Sequence, residues 1–160
     1  MNDIFFISDY HFGHLNLKRF VPWIASMDHE EYIEQAIARW NSVVQRGDTV
    51  WVLGDLAKNA AGLIHYDRMN GQKNLIRGNH DLQCTLGYLN FFQSIHGIVK
   101  KYGFWLSHCP IHPVELRGKK NIHGHVHQNT LPDPNYIYVG ADKLEGYPIS
   151  LDEINRNCSL

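Results

Sequence analysis

Three short apolar runs in the first half of the chain constrain its fold more than any other feature. They lie within residues 3–8, 49–55 and 73–81, and each one ends in a group of polar residues. Runs that are apolar at successive positions are typical of strands buried on both faces of a parallel sheet. The sequence therefore predicts three parallel strands that deliver polar side chains to one edge of a sheet, where ligands of such sheets bind.

Segments with helical spacing of apolar residues separate these runs. Asp28 is the predicted N-cap of a helix that reaches about Arg46, where Gly47 ends it. A weaker helical stretch extends to about Met69, and Asn70-Gly71 forms a turn before the third run. This alternation predicts a βαβαβ unit with right-handed crossovers.

The second half of the chain contains a short predicted helix and further strands. The helix covers about residues 82–92, two strands lie within 94–108, and two more lie within 119–125 and 135–142. We therefore predict an α/β protein in which two packed mixed β-sheets are flanked by helices, in a single domain over residues 1–160.

Composition argues against several classes of protein. The 160 residues carry a formal net charge of −1 and are 44% hydrophobic, so no global basic field attracts long duplex nucleic acid or a membrane surface. The first ten residues have an acid where a signal peptide is basic, and their apolar run is too short to cross a bilayer. Cys84, Cys109 and Cys158 form no CxxC pair, which favours a reducing compartment. We expect a cytoplasmic protein.

The chain contains eleven histidines, and imidazole near neutral pH is either a proton carrier or a metal ligand. Several of them fall in five short segments that follow strand-like runs and carry donors suited to hard or borderline metals. The segments are Asp9-Tyr10-His11, Gly54-Asp55, Gly78-Asn79-His80-Asp81, Ser107-His108 and Gly124-His125-Val126-His127. One Gly-Asp pair is usually only a turn, but all five segments in this order are strong evidence for a metal site.

This series of motifs resembles the calcineurin-like metallophosphoesterase superfamily, whose pattern is DxH, GD, GNHD, H and GHxH. The resemblance covers residues 9–127, and the stretch DYHFGHLN at residues 9–16 resembles a small stand-alone branch found in bacteria and phages. It implies a four-layer α/β/β/α sandwich with a centre for two divalent metal ions.

The resemblance also implies the ligands of that centre. It assigns Asp9, His11 and His127 to one metal, Asn79, His108 and His125 to the second, and Asp55 to both. His80 would face the substrate, with Asp81 orienting its imidazole. Gly54, Gly78 and Gly124 each precede a ligand, and we expect positive φ angles and close backbone approach there.

The charges of such a centre suit an anionic substrate. Two divalent cations bring four positive charges against the two negative charges of Asp9 and Asp55, so a phosphoryl group is the natural ligand. The mixed imidazole and oxygen donors suit Mn²⁺, Fe or Zn²⁺ better than an all-oxygen magnesium cage, and Mn²⁺ is the expected metal ahead of Fe, Zn, Ni and Co. We therefore expect two divalent ions per chain.

Other residues near the motifs are weaker candidates. His14, Asn16, Arg77 and His112 could contact the substrate, and the alternative for His14 and Asn16 is that they cap a following helix. Cys109 could be a soft ligand, but the ligand set is complete without it, and we expect a structural role.

The sequence thus predicts a metal-dependent phosphoric ester hydrolase. Its expected substrate is a small phosphodiester or phosphomonoester of nucleotide type, attacked by a metal-activated hydroxide while His80 assists the leaving group. Two alternatives stay open: a non-catalytic metal-binding scaffold for protein interactions, and a nuclease acting on short single strands. No long duplex and no membrane partner is expected, and the sequence leaves the oligomeric state open.

Overall fold

Nine strands form two sheets in the computed structural model, which describes residues 2–14, 16–19 and 21–158. The strands are Ile4–Ile7 (β1), Thr49–Val52 (β2), Gln72–Ile76 (β3), Ser94–His96 (β4), Ile98–Lys101 (β5), Phe104–Ser107 (β6), Asn121–His123 (β7), Tyr136–Tyr138 (β8) and Ile149–Ser150 (β9). The first sheet has the order β4-β3-β2-β1-β9 and the second the order β5-β6-β7-β8.

Five α-helices surround the sheets within the described ranges. They are His29–Val43 (α1), Ala60–Leu63 (α2), Thr85–Tyr88 (α3), Pro113–Leu116 (α4) and Leu151–Cys158 (α5), and short 3-10 helices lie at Leu17–Arg19, Pro22–Ile24 and Ile64–Arg68. None of the helices in these ranges combines the length and apolar character that a membrane crossing requires.

Strand directions confirm the predicted fold class. β1, β2, β3 and β4 run parallel, and the antiparallel β9 makes the first sheet mixed. In the second sheet β5 and β6 are antiparallel, whereas β6, β7 and β8 are parallel. The carboxyl ends of β1, β2, β3, β6 and β7 therefore lead into the five motifs predicted to bind metal.

Side-chain alternation along the central strands explains why they read as unbroken apolar runs. Phe5 and Ile7 of β1 pack in the core beneath α1, whereas Phe6 packs in the core between the two sheets. Trp51 of β2 likewise points into the second core, and its neighbours Val50 and Val52 point into the first. Both faces of the first sheet are covered at its centre, so Ile4–Ile7 of β1 and Val50, Trp51 and Val52 of β2 are all apolar.

The sequence explains where helix α1 begins and where it ends. The Asp28 carboxylate accepts hydrogen bonds from the backbone N–H groups of Glu30 and Glu31 at 2.9 Å, and the Glu31 side chain accepts from Asp28 N at 2.9 Å. This capping box satisfies donors that a helix start leaves free. The helix ends at Val43, earlier than the predicted Arg46, because buried Val44 turns extended to join the core.

Three other predictions needed correction. The expected helix over residues 82–92 is only the four-residue α3, and segment 94–108 forms three strands instead of two. The first of these three, β4, joins the first sheet beside β3, because Asn74, Leu75 and Ile76 offer it a free parallel edge. The sequence analysis also missed β9 and α5. β9 has only two residues, and the eight residues of α5 are mostly polar, so neither gives a clear apolar pattern.

Candidate metal centre

The predicted ligands of the first metal position lie together at the carboxyl edge of the sheets. Asp9, His11 and His127 each offer a donor atom, and these atoms all lie within 4.8 Å of one another. His11 Nε2 lies 3.8 Å from Asp9 Oδ1 and 3.6 Å from Asp55 Oδ2. His127 Nε2 lies 3.9 Å from Asp9 Oδ1. One divalent ion could reach all of these donors.

The second position is built around His108. Its Nε2 lies 3.4 Å from Asp55 Oδ1 and 2.9 Å from Asn79 Oδ1. The His108 and His125 rings lie 5.0 Å apart between centroids. His108 Nδ1 lies 2.8 Å from the carbonyl oxygen of Leu53, which can only accept, so Nδ1 carries a proton and Nε2 is the nitrogen that faces Asp55 and Asn79. Asp55 faces both positions, through Oδ2 to His11 and Oδ1 to His108.

Backbone conformation marks the same residues. Five of the seven predicted ligands have left-handed φ angles, between 47° and 73°: Asp9, His11, Asp55, His125 and His127. Such angles are uncommon outside glycine and cost of order 1–3 kcal/mol each, so they persist where the surrounding structure enforces them. The backbone strain is therefore located in the loops that position the donor atoms.

Close approach, more than a positive φ, explains the glycines before the ligands. Only Gly54 has a positive φ among the three predicted positions, at 89°. A Cβ on Gly78 would overlap the Asp55 carboxylate, and one on Gly124 would lie 2.5 Å from Asp9 Oδ2. The loops pack backbone against carboxylate, which leaves no room for a side chain.

The two central carboxylates are buried without a Lys or Arg partner among the described residues. Asp9 and Asp55 are 1% and 2% exposed, and their ion pairs within the described residues are all with histidines. Burial raises the pKa of Asp9 to about 6, against the opposing charge of His108 and the Ser8 hydroxyl. Burial also acts on Asp55, but bonds and charge from His108 outweigh it and lower its pKa to about 2. Buried carboxylates that face only histidines in their ion pairs fit a bound cation.

Asp142 is a residue of this site that the sequence analysis missed. Its Oδ2 lies 3.4 Å from His127 Nδ1, and its Oδ1 accepts a 2.5 Å hydrogen bond from the Tyr138 hydroxyl. A hydrogen bond to Asp142 is the largest cause of a raised His127 pKa. The carboxylate thus orients the ring so that Nε2 faces Asp9. Asp142 follows β8 in the way that the predicted metal ligands follow their strands. This position was the signal by which sequence reasoning could have found it.

Asp81 has a different role from the one predicted. Its Oδ2 accepts from the backbone N–H groups of Asp55 at 3.0 Å and Gly78 at 2.7 Å, and its Oδ1 accepts from Leu56 N at 2.9 Å. Among hydrogen bonds of the described residues, none joins Asp81 to the His80 ring. Asp81 therefore braces the loops after β2 and β3 instead of orienting His80.

A pocket of about 210 Å³ opens beside the first metal position, lined by His11, His14, Leu17, His80 and His127. His80 donates its backbone N–H to Asp55 Oδ1 at 2.9 Å, and its ring lies 5.4 Å from that of His11. His14 Nδ1 is buried and has no hydrogen-bond partner among the described residues. The rings of His80 and His14 therefore border the pocket beside the first metal position. Neither belongs to a group of metal donors among the described residues.

The remaining predicted substrate contacts are not brought to this pocket. Arg77 donates from Nε to Asp81 O at 2.8 Å and from a terminal nitrogen to Gln83 O at 2.9 Å, so its guanidinium ties down the loop. His112 is exposed and accepts from Val114 N at 3.3 Å, capping α4. Asn16 is exposed in a turn. We therefore withdraw Arg77 and His112 as substrate contacts.

Sequence comparison finds relatives without an assigned function. No family model matches the chain. The chain is 34% identical over 169 residues to an uncharacterized protein of Methanocaldococcus jannaschii, MJ1445, covering 96% of this chain and 90% of that protein. It is 33% identical over 196 residues to the gene 66 protein of Mycobacterium phage L5, covering 96% and 93%.

Structure comparison finds the same fold elsewhere. A protein of unknown function from Aquifex aeolicus, AQ665, has a TM-score of 0.75 at 24% identity, covering 98% of this chain and 99% of its own. Nuclease MPE of Pseudomonas putida has a TM-score of 0.53 at 20% identity, covering 78% and 61%. At these identities the likeness establishes a shared fold.

Fold and site together define a two-sheet α/β sandwich with a candidate metal centre at the carboxyl ends of its strands. Within that class, the chain belongs to the family of MJ1445 and the phage L5 gene 66 protein.

Replacing Asp142 tests the orienting role assigned to it. Asp142→Asn should lower Mn²⁺ affinity about 10–100-fold, because the hydrogen-bonded partner of a metal-binding histidine is lost. Isothermal titration of the metal-free protein gives the affinity, and Asp67→Asn, at an exposed acid in a 3-10 helix, is the matched control. Equal affinity in wild type and Asp142→Asn would contradict this role.

Metal binding should expel protons near neutral pH. Asp9, His108 and His127 have raised pKa values, that of Asp9 being about 6, so in the metal-free protein they hold protons at higher pH than usual. Metal must displace those protons, and affinity should therefore fall as the pH drops through about 6. His11, with a pKa lowered by burial to about 4, adds nothing in that range.

Calorimetric titration with Mn²⁺ in two buffers of different protonation enthalpy counts the released protons. We expect more protons released at about pH 6 than at about pH 8, because a larger fraction of these groups is protonated in the metal-free protein at the lower pH. Affinity that is independent of pH across this range would show that these three groups are not ligands.

Proposed function

We propose that the protein is a calcineurin-like metallophosphoesterase that hydrolyses a small, nucleotide-like phosphodiester or phosphomonoester with two divalent ions. The observation that carries this proposal is the convergence of the predicted ligands from five separate loops. Two donor groups, Asp9-His11-His127 and Asp9-Asp55-His108, share the Asp9 carboxylate and are each confined within 4.8 Å. Structural ion pairs do not require so many histidines around two buried carboxylates.

Two ions in this centre would be held by distinct sets of residues. Asp9, His11 and His127 would hold one, Asn79, His108 and His125 the other, and Asp55 would contact both. When bound, the ions would supply Lewis acidity toward a phosphoryl group and generate the nucleophile from water. We propose Mn²⁺ as the working metal on the basis of the mixed nitrogen and oxygen donors.

His80 supplies a proton at the leaving oxygen in this proposal. Its backbone is held by Asp55, and its ring lines the pocket beside His11 and His127 without belonging to a donor group of the described residues. A ring fixed beside the reacting group, but free of metal, can transfer a proton as the ester bond breaks.

His14 binds the substrate from the other side of the pocket. A buried ring nitrogen without a partner carries a desolvation penalty of about 1–3 kcal/mol unless a ligand satisfies it. The Nδ1 of His14 has no hydrogen-bond partner among the described residues, and the His14 ring lines the pocket 6.1 Å from the ring of His11. A small shift of the ring would allow a phosphoryl or leaving-group oxygen in the pocket to bond to this nitrogen.

The size of the pocket favours a small substrate. About 210 Å³ lies beside His80, and a second pocket of about 500 Å³ shares His127 with the first and is also lined by Val126, Gln128 and Asn129. The first accommodates a phosphoryl group, and the second leaves room for a nucleoside-sized substituent.

Replacing His80 tests the reaction most selectively. His80→Ala should keep metal content and folding while lowering turnover about 10²–10⁴-fold on a nucleoside ester, because a proton donor is lost. The loss should be smaller on an activated aryl ester, whose leaving group departs as a stable anion. Steady-state rates on both esters give the comparison, with His96→Ala on β4 as a histidine control.

Two outcomes would contradict this role. Loss of metal together with activity in His80→Ala would make His80 a ligand, and an equal loss on both esters would make it a stabiliser of phosphoryl charge. Absence of turnover by the metal-loaded wild type on every phosphoester would favour a non-catalytic scaffold instead.

A nuclease acting on short single strands is a second candidate, supported by local charge. Residues 98–120 carry five Lys or Arg and one Glu, a net +4 in a chain of net charge −1. Lys100 Nζ lies 4.2 Å from the centroid of the Trp105 ring, and Lys120 O accepts the Trp105 backbone N–H at 2.9 Å. Cations beside an aromatic ring suit single-stranded nucleic acid. Faster, salt-sensitive cleavage of a short oligonucleotide than of a nucleoside ester would favour this candidate.

A further inference from the structure

The thiol of Cys109 lies beside two predicted ligands of the second metal position. Cys109 Sγ, one ring nitrogen of His108 and one of His125 all lie within 4.8 Å of one another. His108 also belongs to the Asp9-Asp55-His108 group, so the sulfur borders a centre that other residues already define. The side chain is exposed and forms no disulfide, so a metal could reach it from the open side of the centre.

The backbone around Cys109 is fixed on both sides. Ser107 Oγ donates to Cys109 O at 2.6 Å, and His108 O accepts from Gly124 N at 2.9 Å. Two residues further on, Ile111 N donates to Asn121 Oδ1 at 3.0 Å. These bonds tie the segment to β7 and its following loop, so the sulfur stays beside the two imidazoles.

We propose that Cys109 is a further ligand of the second metal position, alongside Asn79, His108 and His125. This inference rests on the two-metal centre of the proposed function and extends it to the choice of metal. On binding, the S–H bond breaks, the proton leaves to solvent and the sulfur electron pair forms the bond to the ion. No change in oxidation state is involved.

A thiolate changes which metal this position prefers. Sulfur is a soft donor that selects Zn²⁺ and similar ions, whereas imidazole and carboxylate alone tolerate Mn²⁺ well. The second position would therefore hold Zn²⁺ or Co²⁺ more tightly, relative to Mn²⁺, than the first position, which has only nitrogen and oxygen donors. The centre becomes chemically asymmetric.

The chain offers matched controls for this inference. Cys84 is exposed just before α3, and Cys158 is half-buried at the end of α5. Neither belongs to a donor group among the described residues. Serine in place of any of the three removes one sulfur with little change in volume.

Cobalt substitution reads out sulfur ligation directly. Metal-free protein loaded with Co²⁺ should show visible ligand-field bands from nitrogen and oxygen donors and a near-ultraviolet sulfur-to-cobalt charge-transfer band. Cys109→Ser should lose the charge-transfer band and keep the visible bands, whereas Cys84→Ser and Cys158→Ser should keep both. In competition between Zn²⁺ and Mn²⁺, Cys109→Ser should need more Zn²⁺ than wild type, Cys84→Ser or Cys158→Ser to displace Mn²⁺ at one site per chain.

The two kinds of band separate this inference from the proposed function. Visible bands without a sulfur band in wild type would overturn Cys109 as a ligand and leave the metal centre standing. A sulfur band that survives in Cys109→Ser would likewise overturn it. Absence of both kinds of band in wild type would overturn the metal centre and the inference together.

Discussion

The site depends on one buried carboxylate that binds no metal in this account. Asp81 accepts three backbone N–H groups, from Asp55, Leu56 and Gly78, and so joins the loops after β2 and β3. Asp55 in turn accepts the backbone N–H of His80. This closed set of bonds fixes the shared carboxylate and the pocket histidine relative to each other. Removing one member would leave buried donors unpaired, at about 1–3 kcal/mol each.

In the metal-free protein this arrangement costs free energy, through backbone strain and through the burial of charged groups. Five donor residues hold left-handed backbone angles, and the ion pairs of two buried carboxylates among the described residues are all with histidines. Neither feature stabilises the fold by itself, and conflicts of this kind with local preference are expected at functional sites. Bound cations would offset the charge, which couples metal binding to the stability of the loops.

The sequence predicted features that depend on neighbouring residues, but few features that depend on contacts between loops distant in the chain. Asp9 and Asp55 could be found because each follows an apolar strand. The N-cap Asp28 could be found because it directly precedes the helix that it caps. Asp142 was missed because its role depends on a contact with His127 across a loop. The bracing role of Asp81 and Arg77 was equally hidden, since their partners become visible only when β2 and β3 lie side by side.

Counting metal ions tests the central claim most directly. Wild type and Asp55→Asn are reconstituted with Mn²⁺, freed of excess metal by gel filtration and analysed for metal content per chain. Because Asp55 faces both positions through its two oxygens, this account predicts two ions in wild type and weakened binding at both positions in the variant. One ion or none in wild type, or loss of a single ion in Asp55→Asn, would contradict a shared carboxylate.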